Sequence, residues 1–266
     1  MNTLETLFDK LWTDYISMNP QVNEIHDLLI SKDENVVNDH IALRTFEDAR
    51  INKEKIAQSF LAVGYHEVET YMFDMKGLNA FHLEHKNPEN PKVFISELCT
   101  NNLSKQAQDI IETTLDSIPL SVLDDFYLSS AGRLWPANYD DYNCLLSESD
   151  YAAWVYAFGF RVNHFTVCIN ALSGWDDIAD FNSFIKDNGF QLNNSGGEIK
   201  GSPELLLEQS STMANAVRVD FSDGKHEIPY CFYEFAKRYK MPNGNYFQGF
   251  VTQSANKLFE STNRDS

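Results

Sequence analysis

Three side chains stand out by type and setting. His40 and His164 each sit inside a run of β-formers, preceded by Asp39 and Asn163, and Glu234 lies among Phe232, Tyr233 and Phe235. An unpaired carboxylate in so apolar a setting would cost on the order of several kcal/mol, so Glu234 calls for a cation. Two neutral imidazoles and one carboxylate on one side of a metal meet that need and leave coordination positions open. Such a donor set suits Fe(II), at which a bidentate keto acid and O2 can bind together.

Elements far apart in the chain must bring these residues together, and an internal repeat supplies them. Val36–Phe46 reads as a strand, Lys53–Ala62 as a helix stopped at Gly64, and Tyr65–Tyr71, Asn79–Glu84 and Lys92–Leu98 as short strands divided by turns. The same β-α-β-β-β order returns in Phe160–Asn170, Gly174–Asp187 with its stop at Gly189, Phe190–Asn193, Ala216–Phe221 and Ile228–Phe235. His40 and His164 fall in the first strand of each copy, 124 positions apart. Glu97 and Glu234 fall in the last strands, 57 and 70 positions after their histidines, and the difference predicts a loop insertion in Asn194–Gln209.

Two βαβββ copies that pair their sheets give an α+β fold: one incomplete β-barrel around a metal site, with covering helices. Strand alternation gives His40, Ala42 and Arg44 one face, His164, Thr166 and Cys168 another, and Ile228, Tyr230, Phe232 and Glu234 a third, all turned to one cavity. The expected organisation is an N-terminal helical segment over 1–35, split at Pro20, then a first repeat over 36–99. A helical connection over 100–159 and a second repeat over 160–240 follow, the repeats forming a single domain. Within the connection, Leu103–Leu120 and Glu148–Phe158 read as helices around an irregular aromatic stretch, Trp135–Tyr142. The tail over 241–266 reads as turn-rich, then helical, then disorder-prone from Ser261.

Charge narrows the partners. The 266 residues carry 21 Lys+Arg against 39 Asp+Glu, a net charge of -18, which repels phosphate backbones and anionic lipid surfaces. Nucleic acid and membrane are therefore not expected partners. A small anionic substrate stays open, because a divalent metal together with Arg44 reverses the sign locally. No apolar window is long enough for a membrane span. The first residues lack a basic leader pattern, and Cys99, Cys144, Cys168 and Cys231 form no CxxC pair. A cytoplasmic protein is expected.

Three stretches carry a family resemblance: Asp39-His40-Ile41-Ala42-Leu43-Arg44, Asn163-His164-Phe165-Thr166 and Tyr233-Glu234-Phe235-Ala236-Lys237-Arg238-Tyr239. With Glu208–Thr212 they resemble the 2-oxoadipate dioxygenase/decarboxylase (2-hydroxyglutarate synthase) family, within a layout similar to the vicinal oxygen chelate superfamily. The resemblance spans about residues 35–240. It implies an iron-dependent enzyme that converts 2-oxoadipate and O2 to 2-hydroxyglutarate and CO2 in lysine breakdown. His40, His164 and Glu234 would be the metal ligands, with Zn, Ni or Mn able to replace Fe(II) in a purified sample. Arg44 would hold a substrate carboxylate. Four strand residues span about 13 Å, so a metal at one end and a guanidinium reaching back from the other measure out a short 2-oxo dicarboxylate.

Further candidates are weaker. Glu97, the repeat partner of Glu234, is a catalytic candidate as fourth ligand, pocket carboxylate or holder of Arg44. Arg218 faces inward, as a second anion site, if Val217 and Val219 point out. Ser210 and Ser211 either hydrogen-bond substrate or cap turns. His82 and His85 read as surface or supporting residues, and His26, His66 and His226 as solvent-facing. Two rival functions use the same scaffold: a glyoxalase-type metal-dependent lyase, isomerase or hydrolase, and a non-catalytic metabolite-binding protein.

Overall fold

The computed structural model describes residues 3–251. The chain opens with α1 (Thr3–Ser17) and α2 (Pro20–Ile30). Leu7, Leu11 and Tyr15 recur every four residues, share one face of α1 and are buried. Pro20 begins α2 in the first turn, where its missing N–H has no intrahelical partner to lose. The first copy is β1 (Asn38–Phe46), α3 (Lys53–Ala62), β2 (Tyr65–Phe73), β3 (Leu78–His85) and β4 (Lys92–Leu98). The connection holds α4 (Lys105–Asp116), α5 (Leu120–Leu123), α6 (Tyr139–Glu148) and α7 (Asp150–Phe158). The second copy is β5 (Val162–Cys168), α8 (Ile178–Asp187), β6 (Lys200–Ser202), β7 (Leu207–Ser211), the hairpin β8 (Ala216–Phe221) and β9 (Gly224–Pro229), and β10 (Glu234–Arg238). Asn52, Ser104, Asn138, Ser149 and Asp177 each accept a backbone N–H in the first turn of the helix they precede.

Eight strands make one curled sheet in the order β2-β3-β4-β1-β5-β10-β7-β6. The copies meet at β1 and β5, which run antiparallel with His40 opposite Thr166 and Ala42 opposite His164. Parallel neighbours flank that seam, β4 beside β1 and β10 beside β5. Both seam strands are buried almost throughout, as a sheet covered on both faces requires. Helices α3 and α8 pack on one face. On the other lies α7, buried from Tyr151 to Phe158 and apolar all round, as a helix inside a core should be. The Tyr15 hydroxyl donates to the Phe232 carbonyl, and Asn19 Nδ2 donates to the Cys231 carbonyl at 3.2 Å. These bonds anchor the irregular approach to β10 on the N-terminal helices. Among the described residues no helix is long and apolar enough to cross a membrane.

The second copy departs from the sequence expectation. Phe190–Asn193 contributes only an isolated bridge, Leu192 to Thr212. Strand β6 and the start of β7 fall inside Asn194–Gln209, the stretch that reads as an insertion. The insertion is the β8–β9 hairpin, which forms a separate two-stranded sheet. Alternation of Val217, Val219 and Phe221 announces a strand with one apolar face but cannot say which sheet it joins, whereas the three-residue, polar β6 is too short to show a period. Tyr139–Glu148, within and beyond the stretch that reads as irregular, is helical from its Asn138 cap. The disorder expected from Ser261, and the greater part of the helix expected before it, lie outside the described residues.

Candidate metal centre

His40 on β1, His164 on β5 and Glu234 at the start of β10 stand on three adjacent strands. One donor atom from each lies within 4.8 Å of the others. His40 Nε2 is 3.3 Å from Glu234 Oε1, and His164 Nε2 is 3.4 Å from Oε2. Gln209 Nε2, from β7, donates to Oε1 at 2.6 Å, while Oε2 is buried with no hydrogen-bond partner. A buried carboxylate with one oxygen lacking a hydrogen bond, and an imidazole nitrogen beside each oxygen, is the arrangement a divalent cation completes, so the donor set fits a metal with open positions. Burial disfavours the Glu234 charge, but His164 and His40 outweigh it and hold the carboxyl below its usual range.

The two imidazoles have different supports. His40 Nδ1 lies 2.8 Å from Asp39 Oδ1, and Arg238 grips that carboxylate through Nε at 2.6 Å and Nη2 at 2.8 Å. His164 Nδ1 lies 3.1 Å from the neutral Asn163 Oδ1, and its ring stacks on Phe232 with centroids 4.7 Å apart. Each support engages Nδ1 and turns Nε2 toward Glu234, and at His40 the Thr166 hydroxyl also lies 3.2 Å from Nε2. Burial opposes protonation of both imidazoles, with opposite outcomes. At His40, Glu234 and Asp39 overcome burial and raise it. At His164 burial prevails, and the pKa falls to about 3.

A cavity extends from the three donors, lined by Ala42, Arg44, Phe94, Ser96, Phe232 and Phe250 among others. The Arg44 guanidinium is buried and lies over the rings of Tyr151 and Trp154 of α7, at 5.0 and 5.3 Å from their centroids. Burial depresses its pKa, yet a guanidinium stays charged. The Tyr151 hydroxyl donates to the Ser96 carbonyl at 2.8 Å, which pins α7 to β4 at this end.

Several sequence candidates lie elsewhere. Glu97 is buried on the opposite face of β4 from Ser96. Its Oε1 is 2.5 Å from Lys53 Nζ, and its Oε2 accepts the Lys53 backbone N–H at 3.0 Å, so it caps α3. It is neither pocket carboxylate, fourth ligand nor partner of Arg44. Register explains the correction: Thr166 pairs with Glu234 and Ala42 with Phe94, each two residues beyond its histidine, so Phe94 is the repeat equivalent of Glu234. Arg218 is exposed on the hairpin and pairs with Glu227 at 3.2 Å. Ser210 Oγ donates to Asn182 of α8 at 2.6 Å, on the face away from the cavity. Ser211 sits opposite Glu234 in the β7–β10 register but does not line the cavity. His82 is buried and bonded to Tyr71 at 2.8 Å rather than at the surface. Gln209 and Phe250 are residues that sequence reasoning missed. The first stands in a stretch singled out for its resemblance, and the second carries no local signal.

A curled sheet of two βαβββ copies, with two histidines and a glutamate grouped at its seam as candidate metal donors, defines a fold of the vicinal oxygen chelate type. The model of the 2-oxoadipate dioxygenase/decarboxylase family matches residues 2–120 and 121–246. The chain belongs to that family. It is 35% identical to the chloroplastic/amyloplastic 2-oxoadipate dioxygenase/decarboxylase of Oryza sativa subsp. japonica, over 98% of this chain and 79% of the relative. The crystal structure of the Oryza sativa hydroxyglutarate synthase in complex with 2-oxoadipate superposes with a TM-score of 0.93 at 33% identity, covering 98% of this chain and 92% of that one. A Shewanella frigidimarina crystal structure, provisionally assigned as a hydrolase, gives a TM-score of 0.91 at 48% identity, covering 95% of this chain and 99% of that one.

Proposed function

We propose that this protein is a cytoplasmic, Fe(II)-dependent dioxygenase that decarboxylates a short 2-oxo dicarboxylate. The leading substrate is 2-oxoadipate, converted with O2 to 2-hydroxyglutarate and CO2 in lysine breakdown. The observation that carries the reading is the bare, buried Glu234 Oε2 beside His40 and His164, at the head of a cavity that also contains Arg44. The complex of the rice relative with 2-oxoadipate supports the substrate class.

His40, His164 and Glu234 would hold the iron, which when bound supplies Lewis-acid chelation of the 2-oxo acid and redox chemistry with O2. Gln209 holds Glu234 Oε1 and so leaves Oε2 for the ion. Arg44 takes the far carboxylate of the substrate through charge-assisted hydrogen bonds, on a platform fixed by Tyr151 and Trp154. That contact sets the chain length between the two carboxylates and holds the 2-oxo end at the three donors. Phe94, Phe232 and Phe250 keep the walls apolar and exclude water, which strengthens both electrostatic contacts.

Protein purified without oxygen, loaded with Fe(II) and assayed with an oxygen electrode across short 2-oxo acids tests the reading. The expected result is equal O2 uptake and CO2 release, greatest with 2-oxoadipate and lost with iron. Anaerobic turnover supported by Ni or Zn would instead establish a glyoxalase-type enzyme.

A further inference from the structure

Asp39 and Arg238 belong to the stretches that carry the family resemblance, yet neither lines the cavity. Both are buried, and the Arg238 fork is divided between two tasks. Nε and Nη2 grip Asp39, whose Oδ1 holds His40 Nδ1. Nη1 donates to the carbonyls of Phe247 at 3.0 Å and Gly249 at 2.9 Å. The segment thus tethered places the Phe250 ring edge-to-face on His40, centroids 4.8 Å apart at 87°. Its Phe250 N–H donates to the Tyr71 hydroxyl at 3.3 Å. Among the described residues His164 is backed instead by the neutral Asn163 at Nδ1 and by the stacked Phe232 ring.

We propose that Arg238 is a positioning residue that couples the seating of Phe247–Phe250 to the orientation of His40. With the segment seated, Arg238 holds Asp39 in line with Nδ1, and Asp39 with Phe250 fixes the imidazole plane so that Nε2 faces the metal. With the segment unseated, the fork loses two carbonyl acceptors and the imidazole loses its apolar wall. The same segment walls the cavity, so the metal site is complete only when the pocket is closed on that side. Coupling is reciprocal: a metal ion that favours the oriented His40 also favours the seated segment. This inference rests on the metal-site reading above.

The test uses the metal-stripped 266-residue chain and Mn(II) as the probe, with affinity measured by calorimetry. Removing a partner that orients a ligand typically costs 10–100-fold in metal affinity. Arg238→Gln and Asp39→Asn are each expected to weaken Mn(II) by about that factor, and the double variant by no more than the worse single, since both act along one path. Gly249→Val touches no ligand, but its Cβ would come within 2.8 Å of the Phe247 ring and 3.2 Å of Glu69 Oε2 on β2, so its two added methyls are expected to push the segment off the sheet. It is expected to weaken Mn(II) as well, and it carries the test if Arg238→Gln does not fold. Mn(II) should also slow chymotrypsin cleavage at Phe247 and Phe250 in the wild type and not in Arg238→Gln. Wild-type affinity in folded Arg238→Gln or Gly249→Val, or additive losses in the double variant, would overturn the coupling alone. A wild type that binds no Mn(II) would instead sink the metal reading, and the coupling with it.

Discussion

The two copies present the same strands to the cavity and fill them differently. The first gives His40 and Arg44 from β1 and an aromatic, Phe94, at the register position where the second places Glu234. The second gives His164 and Glu234 and, from β7, Gln209 to hold the carboxylate. Charge is divided in the same way. The first copy holds the cation that would meet substrate, and the second the anion that would meet metal. Duplication supplies symmetry, but a site with one ion and one directional substrate needs asymmetry, so one potential carboxylate position has become wall. The supports differ too, a charged Asp39–Arg238 pair behind His40 and a neutral Asn163 behind His164.

Substitutions that blur this division should have graded effects. Glu234→Ala removes the anionic donor. Metal binding and turnover are expected to fall below detection, and metal-free stability to fall by about 1–3 kcal/mol, because the buried Gln209 amide and the two imidazoles lose their partner. Calorimetry and thermal melting read both. Arg44→Met leaves the metal donors intact, so iron affinity should hold while KM for the dicarboxylate rises roughly hundredfold, equivalent to about 3 kcal/mol for a lost charge-assisted contact. Glu97→Gln uncouples Lys53 and the start of α3. A loss of about 1–2 kcal/mol, or roughly 3–6 °C in melting temperature, is expected with kcat/KM unchanged; lost activity without lost stability would return Glu97 to the site. Arg218→Ala removes an exposed pair, and stability should move by less than about 0.5 kcal/mol with kinetics untouched.

Much of this is legible in the sequence because the first strand of each copy is distinctive. His40 and His164 lie in β-forming runs at matching distances from a helix-stopping glycine, and Gly64 and Gly189 do adopt positive φ, 107° and 89°. Glu234 stood out as a carboxylate among aromatics. What failed depended on register. Glu97 and Glu234 look equivalent by position in their strands, and only pairing with Ala42 or Thr166 shows that Phe94 is the true counterpart. Arg218 and Ser210 needed knowledge of which sheet a strand joins and which face meets α8. Phe250 and the second role of Arg238 come from a turn-rich tail folding back across the cavity, a long-range contact with no periodicity to announce it.

The most direct measurement is the iron content per chain after anaerobic loading, in the wild type, His40→Ala and His164→Ala, with folding checked by circular dichroism. One site shared by two copies requires one iron in the wild type and none in either variant. Two irons per chain, or iron retained by one of the histidine variants, would contradict it.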